Sequence, residues 1–160
     1  MNVGCVGSDR GFAEFYGREF AAVYRPVFAL CRNPSVAEEA TQEAFARALE
    51  RWRRLRDRPW AAGWVTTTAM NVARRSLRRR PIVETPEAIR EEPEGGWDLW
   101  RAVGALPARQ QEAVVLFYVM DLRVTEVAQV MRCEQGTVKA HLAKARASLR
   151  GALEGVRDDR

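Results

Sequence analysis

The sequence has little of the chemistry that metalloproteins and most enzymes use. It contains three cysteines, at positions 5, 31 and 133, without any CxxC pair, and His141 is its single histidine. A structural zinc site needs four such ligands at short regular spacings, so none is predicted. We expect no metal, no cofactor, and free, mostly buried thiols in a reducing compartment.

Long apolar runs are also missing. No stretch approaches the roughly 18 apolar residues that a membrane-spanning helix needs. The N-terminus lacks a basic segment followed by an apolar run, so a secretory signal is not predicted either. The expected protein is soluble and cytoplasmic, without membrane insertion.

The alternation of apolar and polar residues that marks half-buried strands is absent, whereas helical spacing recurs along the chain. The predicted fold is therefore all-α. Pro26 should bend or interrupt the first helix, and the Asn-Pro pair at 33–34 should begin the second. The helices predicted in the first half of the chain cover about residues 11–31, 34–54 and 60–79.

Charge is distributed unevenly over the 160 residues, which carry a formal net charge of +5. Residues 1–80 contain fifteen arginines against eight acids, whereas residues 81–98 contain one arginine against six acids. Two basic blocks separated by an acidic, Pro- and Gly-rich strip predict two small helical domains that face nucleic acid. The predicted parts are a flexible N-terminus (1–10), a first domain (11–80), a flexible linker (81–96) and a second domain (97–155).

The segment between residues 124 and 146 has the pattern of a helix-turn-helix, with a short helix, a tight turn and a longer helix. One side of the longer helix is apolar at helical spacing, and the other sides are small, polar or cationic. Such a helix can bury its apolar stripe and offer the rest to the DNA major groove. A helical hairpin that packs without DNA is the alternative. The apolar stripe consists of Val138, Leu142, Ala145 and Leu149.

The third helix carries Trp64, Thr68, Asn71 and Arg75 on one face. An aromatic ring stacks on unpaired bases, an amide reads a base edge and an arginine holds phosphate, so this face suits single-stranded nucleic acid. A solvated basic face, with Trp64 half-buried for stability, is the alternative.

The second helix presents a mixed polar patch that includes Glu39, Gln42 and Glu43. No nucleophile or metal ligand accompanies these side chains, so acid–base catalysis by this patch is not predicted. A protein-docking patch and a plain solvated face both remain open from these residues alone.

Three stretches together resemble the small extracytoplasmic-function (ECF) group of bacterial RNA polymerase sigma factors. Residues 37–49 resemble the family's polymerase-docking helix with its Gln-Glu pair. Residues 64–80 are similar to the helix that opens and reads the downstream (−10) promoter element. Residues 106–146 resemble the module that reads the upstream (−35) element.

The resemblance implies a promoter-specificity subunit that is not an enzyme. Its partners would be core RNA polymerase and promoter DNA, with an anti-sigma factor as a further candidate partner. Residues implied to contact the clamp coiled coil of the largest polymerase subunit are Glu39, Gln42, Glu43, Phe45 and Leu49. Those implied for the downstream element are Arg56, Trp64, Thr68, Asn71 and Arg75. Those implied for the upstream major groove are Thr137, Lys139, Ala140, His141 and Lys144.

The chain departs from the family pattern where base contacts are made. His141 replaces the usual arginine and Ala140 the usual serine, so the upstream sequence preference does not transfer from relatives. Arg132 occupies the position of a turn glycine, and the turn is expected to find an alternative to positive φ. Two rival functions remain: a stand-alone helix-turn-helix regulator, and an adaptor that binds and represses polymerase.

Overall fold

The computed structural model describes residues 5–79 and 96–158, and the regular structure in both ranges is helical, which confirms the all-α prediction. Most of the predicted linker and residues 1–4 lie outside the described residues. In the first range the helices are α1 (Cys5–Cys31), α2 (Pro34–Glu50), α3 (Trp52–Leu55) and α4 (Ala61–Arg79). In the second they are α5 (Gly96–Gly104), α6 (Ala108–Val114), a π-helical turn (Val115–Val119), α7 (Val124–Met131) and α8 (Gln135–Asp158). Within these ranges, no helix has the length and apolar character to cross a membrane.

Helix α1 begins at Cys5 rather than near residue 11. It continues past Pro26 to Cys31, so an interruption at Pro26 is wrong, whereas a bend there stays a prediction. A proline inside a helix removes one backbone N–H and crowds the carbonyl one turn earlier, at a cost of about 3 kcal/mol. The Pro26 ring is fully buried, as are the neighbouring side chains of Val23 and Val27. Burial of this apolar surface offsets the local cost, so tertiary packing overrides the propensity.

Helix α2 begins where the sequence predicts. The side-chain oxygen of Asn33 accepts a hydrogen bond from the Val36 N–H at 3.0 Å, and Pro34 occupies the first helical turn. The predicted end near residue 54 is wrong, because α2 stops at Glu50. Arg51 leaves the helical conformation (φ −110°, ψ 11°) before the short helix α3 begins, so the chain changes direction beside the start of α4.

Aromatic side chains from α1 and α2 form the centre of the first domain. The Phe45 ring is 1% exposed and packs edge-on against Phe15, with 5.8 Å between ring centroids. Trp52 packs against the same Phe15 ring at 4.9 Å. Rings of this size bury large apolar areas and prefer tilted or edge-to-face contacts, so this cluster fixes α1 against α2. Helix α4 packs on both through Val65, Ala69 and Ala73.

The second domain packs around the long helix α8, which contacts α5, α6 and α7. The predicted apolar stripe of this helix is confirmed: Val138, Leu142 and Ala145 are buried, and Leu149 is partly buried. The stripe lies against the support helices and leaves the opposite side of α8 in solvent.

Candidate nucleic-acid interface

The four side chains predicted on one face of α4 line a single open groove of about 480 Å³. Trp64 and Thr68 are half-buried, whereas Asn71 and Arg75 are exposed. Because α2 packs along α4, the end of α2 supplies the facing wall of the groove. The complete lining is Arg47, Glu50, Arg51, Trp64, Thr68, Asn71, Arg74, Arg75 and Arg78.

The groove is strongly cationic, since five of its nine lining residues are arginines. Arg47 and Arg51 come from the α2 side and were not part of the sequence-based site. Periodicity within α4 could not reveal them, because they reach the groove only through the packing of two helices. Arg51 lies over the Trp64 ring, with 5.5 Å between the guanidinium carbon and the ring centroid. An aromatic ring flanked by guanidinium groups fits a stacked base with its phosphates.

Two hydrogen bonds fix the polar side chains of the groove. The Thr68 hydroxyl donates to the backbone carbonyl of Trp64 at 2.8 Å, which leaves the hydroxyl oxygen as an acceptor only. The side-chain oxygen of Asn71 accepts from Nη1 of Arg74 at 2.7 Å. The Asn71 side chain is therefore oriented by Arg74 and exposed at the groove floor.

Arg56 does not join the other predicted downstream residues. Its side chain is exposed beyond α3 and pairs with Asp57 at 3.3 Å, and it is not part of the groove lining. A contact between Arg56 and DNA remains a prediction, and it would be made outside the groove.

Some residues of the predicted docking patch on α2 are exposed, and one is buried. Glu39, Gln42 and Glu43 are exposed, and Leu49 is an exposed apolar side chain at 46%. Phe45 lies instead in the aromatic core, where a contact with another protein is sterically blocked in this conformation. Glu43 pairs with Arg47, and Gln42 donates to Glu38 at 3.2 Å, so the exposed polar groups of α2 are linked along the helix. The sequence pattern also placed Phe45 on the apolar stripe of α2. The structure agrees with that packing role, because Phe45 is buried.

The predicted upstream surface is a continuous exposed side of α8. Thr137, Lys139, Ala140 and Lys144 are exposed, and His141 is half-buried beside them. The buried stripe faces the other way, so a duplex could approach this side without disturbing the core.

The turn that positions α8 contains a left-handed arginine. Arg132 follows α7 with φ 52° and ψ 49°, so the expectation that the turn avoids positive φ is wrong. A non-glycine residue in this region costs roughly 1–2 kcal/mol. Arg109 stabilises the same turn: its Nη2 donates to the Met131 carbonyl at 2.7 Å, and its Nη1 donates to buried Glu112 at 2.9 Å. These bonds satisfy a carbonyl at the end of α7 and help hold the turn in place.

The two described cysteines differ in burial. Burial raises the pKa of the Cys31 thiol, and its Sγ lies 3.4 Å from the Asn33 carbonyl. Cys133 is half-buried in the helix-turn-helix. Both are free cysteines, as predicted.

Comparison with known proteins identifies both domains. The model of Sigma-70 region 2 matches residues 15–81, and that of Sigma-70, region 4 matches residues 97–149. A probable RNA polymerase sigma factor, RfaY of Xanthomonas campestris pv. campestris, is 27% identical over 89% of this chain and 41% of its own length. The ECF RNA polymerase sigma factor SigE of Mycolicibacterium smegmatis is 27% identical over 82% of this chain and 57% of its own length. The chain thus spans about half the length of these two relatives.

A solved structure shares the fold. It is the sigma factor RpoE in complex with the anti-sigma factor NepR from Bartonella quintana, with a TM-score of 0.70 and 20% identity over 89% of this chain and 96% of that one. Along this chain, the match to Sigma-70 region 2 precedes the match to Sigma-70, region 4. The chain belongs to the sigma-70 family of RNA polymerase sigma factors, in its ECF group.

Proposed function

We propose that this chain is a promoter-specificity subunit, which binds core RNA polymerase and directs transcription initiation. The observation that carries the proposal is the groove in which Trp64, Asn71 and the surrounding arginines converge. A flat ring, an amide and several cations are the groups that capture an unstacked base and its phosphates. Capture of one or two such bases can offset a few kcal/mol of unpairing.

The exposed side of α8 supplies the second point of contact with DNA. Lys139 and Lys144 lie beside the small residues Thr137 and Ala140, which allow close approach to base edges. His141 adds a ring that can donate to a base or a phosphate. The first domain would hold separated strands while the second holds upstream duplex.

The α2 patch is the proposed polymerase-docking surface. Glu39, Gln42 and Glu43 are exposed together, with Leu49 adding apolar area at one end. A mixed surface of this kind suits a protein partner with complementary charge, and the partner implied by the family resemblance is the clamp coiled coil of the largest polymerase subunit.

The chain would carry out no reaction itself, because the polymerase performs the chemistry and this subunit supplies recognition. It would act in the cytoplasm and would need no cofactor. The structure of the sigma factor RpoE with the anti-sigma factor NepR makes an inhibitory protein of that kind a candidate partner here as well.

The proposal is tested by binding the full chain to core polymerase and to promoter DNA, separately and together. We expect the chain to co-purify with core enzyme and to protect promoter DNA only in its presence. A stand-alone regulator would instead protect duplex DNA equally well without polymerase. An adaptor would bind core enzyme but would give no promoter-dependent protection.

Glu43→Lys, paired with Glu14→Lys on α1 as a control of equal charge change, locates the polymerase contact. The first substitution should weaken core binding, and the second should leave it unchanged. Equal binding by both variants would exclude α2 as the docking surface.

A further inference from the structure

One carboxylate lies in the otherwise cationic DNA groove. Of the nine described side chains in the groove lining, Glu50 alone is acidic. It is exposed, and it makes no hydrogen bond or ion pair with another described residue. An acid repels the phosphates of nucleic acid and lowers the general affinity of a groove for it. Phosphate binding therefore does not account for Glu50.

The stability of α2 does not account for Glu50 either. It is the last residue of that helix, where unpaired backbone carbonyls carry a partial negative charge. A carboxylate is destabilising at this end of a helix, whereas a lysine or an arginine would be stabilising. A residue that breaks a local rule in this way is expected at a functional site.

The two arginines nearest to Glu50 in the groove-lining part of α2 are directed to other partners. Arg47, one turn earlier, pairs with Glu43. Arg51, the next residue, lies over the Trp64 ring. Because neither arginine pairs with the Glu50 carboxylate, its two oxygens remain available to accept hydrogen bonds from a ligand.

The arginines on the α4 wall of the groove are of two kinds. Arg74 is held in place, since its Nη1 donates to Asn71 and its Nη2 donates to Oε1 of Gln111 in α6 at 2.8 Å. Arg75 and Arg78 are exposed and make no ion pair with a described residue. The unpaired cations thus lie on the α4 wall, and the unpaired carboxylate lies on the α2 wall. A nucleotide whose phosphate is held on the α4 wall would direct its base toward α2.

We propose that Glu50 makes the groove selective for guanine among the unstacked bases of the captured strand. The inference rests on the proposed function, which supplies the ligand. The Watson–Crick edge of guanine presents two neighbouring N–H donors, at N1 and N2, beside the O6 acceptor. A carboxylate can accept from both donors, as it does from the two donors of an arginine. No other DNA base has two neighbouring donor atoms on this edge.

The amide of Asn71 complements the remaining group of guanine. Its side-chain oxygen accepts from Arg74, so its Nδ2 is the atom that is left to donate to a base. A guanine that contacts both side chains would present O6 to Asn71 and its two donors to Glu50.

The other three bases fit a carboxylate less well. Thymine has a carbonyl oxygen on each side of its single donor, and these oxygens would be repelled by Glu50. Cytosine and adenine each have one amino group beside a ring nitrogen that accepts, so the second carboxylate oxygen would meet another acceptor.

The test compares three holoenzymes, assembled from core RNA polymerase and the wild-type chain, Glu50→Gln or Glu14→Gln. Glutamine keeps the size of glutamate but has a single acceptor oxygen, so it cannot accept from both donors in the same way. Glu14→Gln is the matched control, because it removes the same charge from an exposed position of α1 outside the groove. Each holoenzyme selects promoter DNA from a random pool. The wild type and Glu14→Gln should enrich guanine at one position of the downstream element, and Glu50→Gln should not.

A second measurement does not depend on the folding of a variant. Inosine lacks the N2 amino group of guanine, and it replaces the enriched guanine in a forked promoter fragment whose downstream strand is already single. Base-pair strength therefore does not affect the comparison. The wild-type holoenzyme should bind the inosine fragment roughly ten-fold more weakly than the guanine fragment, because one hydrogen bond to a charged group is lost. The Glu50→Gln holoenzyme should bind the two fragments with affinities that differ by less than about three-fold.

Equal enrichment of guanine by the wild type and by Glu50→Gln would overturn the inference. Enrichment of other bases at every downstream position would overturn it as well, and so would equal binding of the two fragments by the wild-type holoenzyme. In each of these cases an enriched downstream element would still support a promoter-specificity subunit. If the wild-type holoenzyme enriched no sequence, the proposed function itself would fail, and this inference would fail with it.

Discussion

The guanidinium of Arg51 covers the ring of Trp64, and this contact joins the end of α2 to the first turns of α4. Arg51 is the residue at which the chain leaves the helical conformation after Glu50, with φ −110° and ψ 11°. An arginine stacked on a tryptophan at an exposed site contributes roughly 0.5–1 kcal/mol. The stack therefore orients the ring that we assign to base capture.

Removing this stack should weaken base capture modestly. Arg51→Ala is expected to shorten the lifetime of open promoter complexes by about two- to five-fold, since the ring loses its cationic support. Arg53→Ala removes the same charge from an exposed position of α3, outside the groove, and should have a smaller effect. Equal effects of the two variants would indicate a general loss of charge rather than a role for the stack.

Asn71→Ala should weaken the formation of open promoter complexes without weakening the binding of the chain to core polymerase. A lost amide–base contact costs about 1–3 kcal/mol, so open-complex formation should fall substantially. Binding to core polymerase and to upstream duplex should remain nearly intact, because Asn71 is exposed on the side of α4 away from the core. A parallel loss of all three activities would assign Asn71 a structural role instead.

Lys144 is expected to contact a phosphate in the upstream element. Lys144→Ala should weaken upstream binding and reduce the salt slope of the binding constant by about 1. Arg101→Ala, which removes one positive charge from α5, should leave the slope unchanged. An unaltered slope for Lys144→Ala would exclude a direct phosphate contact.

Phe45 and Leu49 should respond to truncation in opposite ways. Phe45→Ala opens a cavity in the aromatic core and should cost about 3–5 kcal/mol of unfolding free energy in urea titrations. Leu49→Ala removes an exposed side chain, so stability should change by less than about 0.5 kcal/mol while polymerase affinity falls. A stable Phe45→Ala variant with weak polymerase binding would reverse this assignment.

Arg132→Gly should stabilise the second domain. Glycine adopts φ near 52° without steric cost, so the substitution removes strain at the turn, by about 1 kcal/mol. A higher urea midpoint with an unchanged m-value is expected. A lower midpoint would mean that Arg132 makes stabilising contacts that outweigh its backbone strain.

The sequence was sufficient for the all-α class and for the buried and exposed faces of α4 and α8, but not for the bounds of α1 and α2. The spacing of Val138, Leu142 and Ala145 alone identified the buried side of α8, because helical periodicity is set by the local backbone. In the same way, Trp64 and Asn71 could be assigned to one face of α4. These predictions depend on short-range geometry, which tertiary contacts rarely alter.

The predictions that failed depend on long-range packing. Pro26 lies inside a continuous helix because burial offsets its local cost, and Arg132 adopts the conformation that glycine would favour. Arg47 and Arg51 reach the groove only because α2 crosses α4, and Gln111 reaches Arg74 only because the domains dock. None of these relationships can be recognised from the residue spacing within a single helix.

Promoter-directed run-off transcription by the reconstituted holoenzyme tests the central claim most directly. The template is DNA selected by that holoenzyme from a random pool, and core enzyme alone is the control. We expect a discrete product that requires this chain and that Asn71→Ala diminishes. Selection of no preferred sequence, or equal transcription by core enzyme alone, would contradict the assignment of this chain as a promoter-specificity subunit.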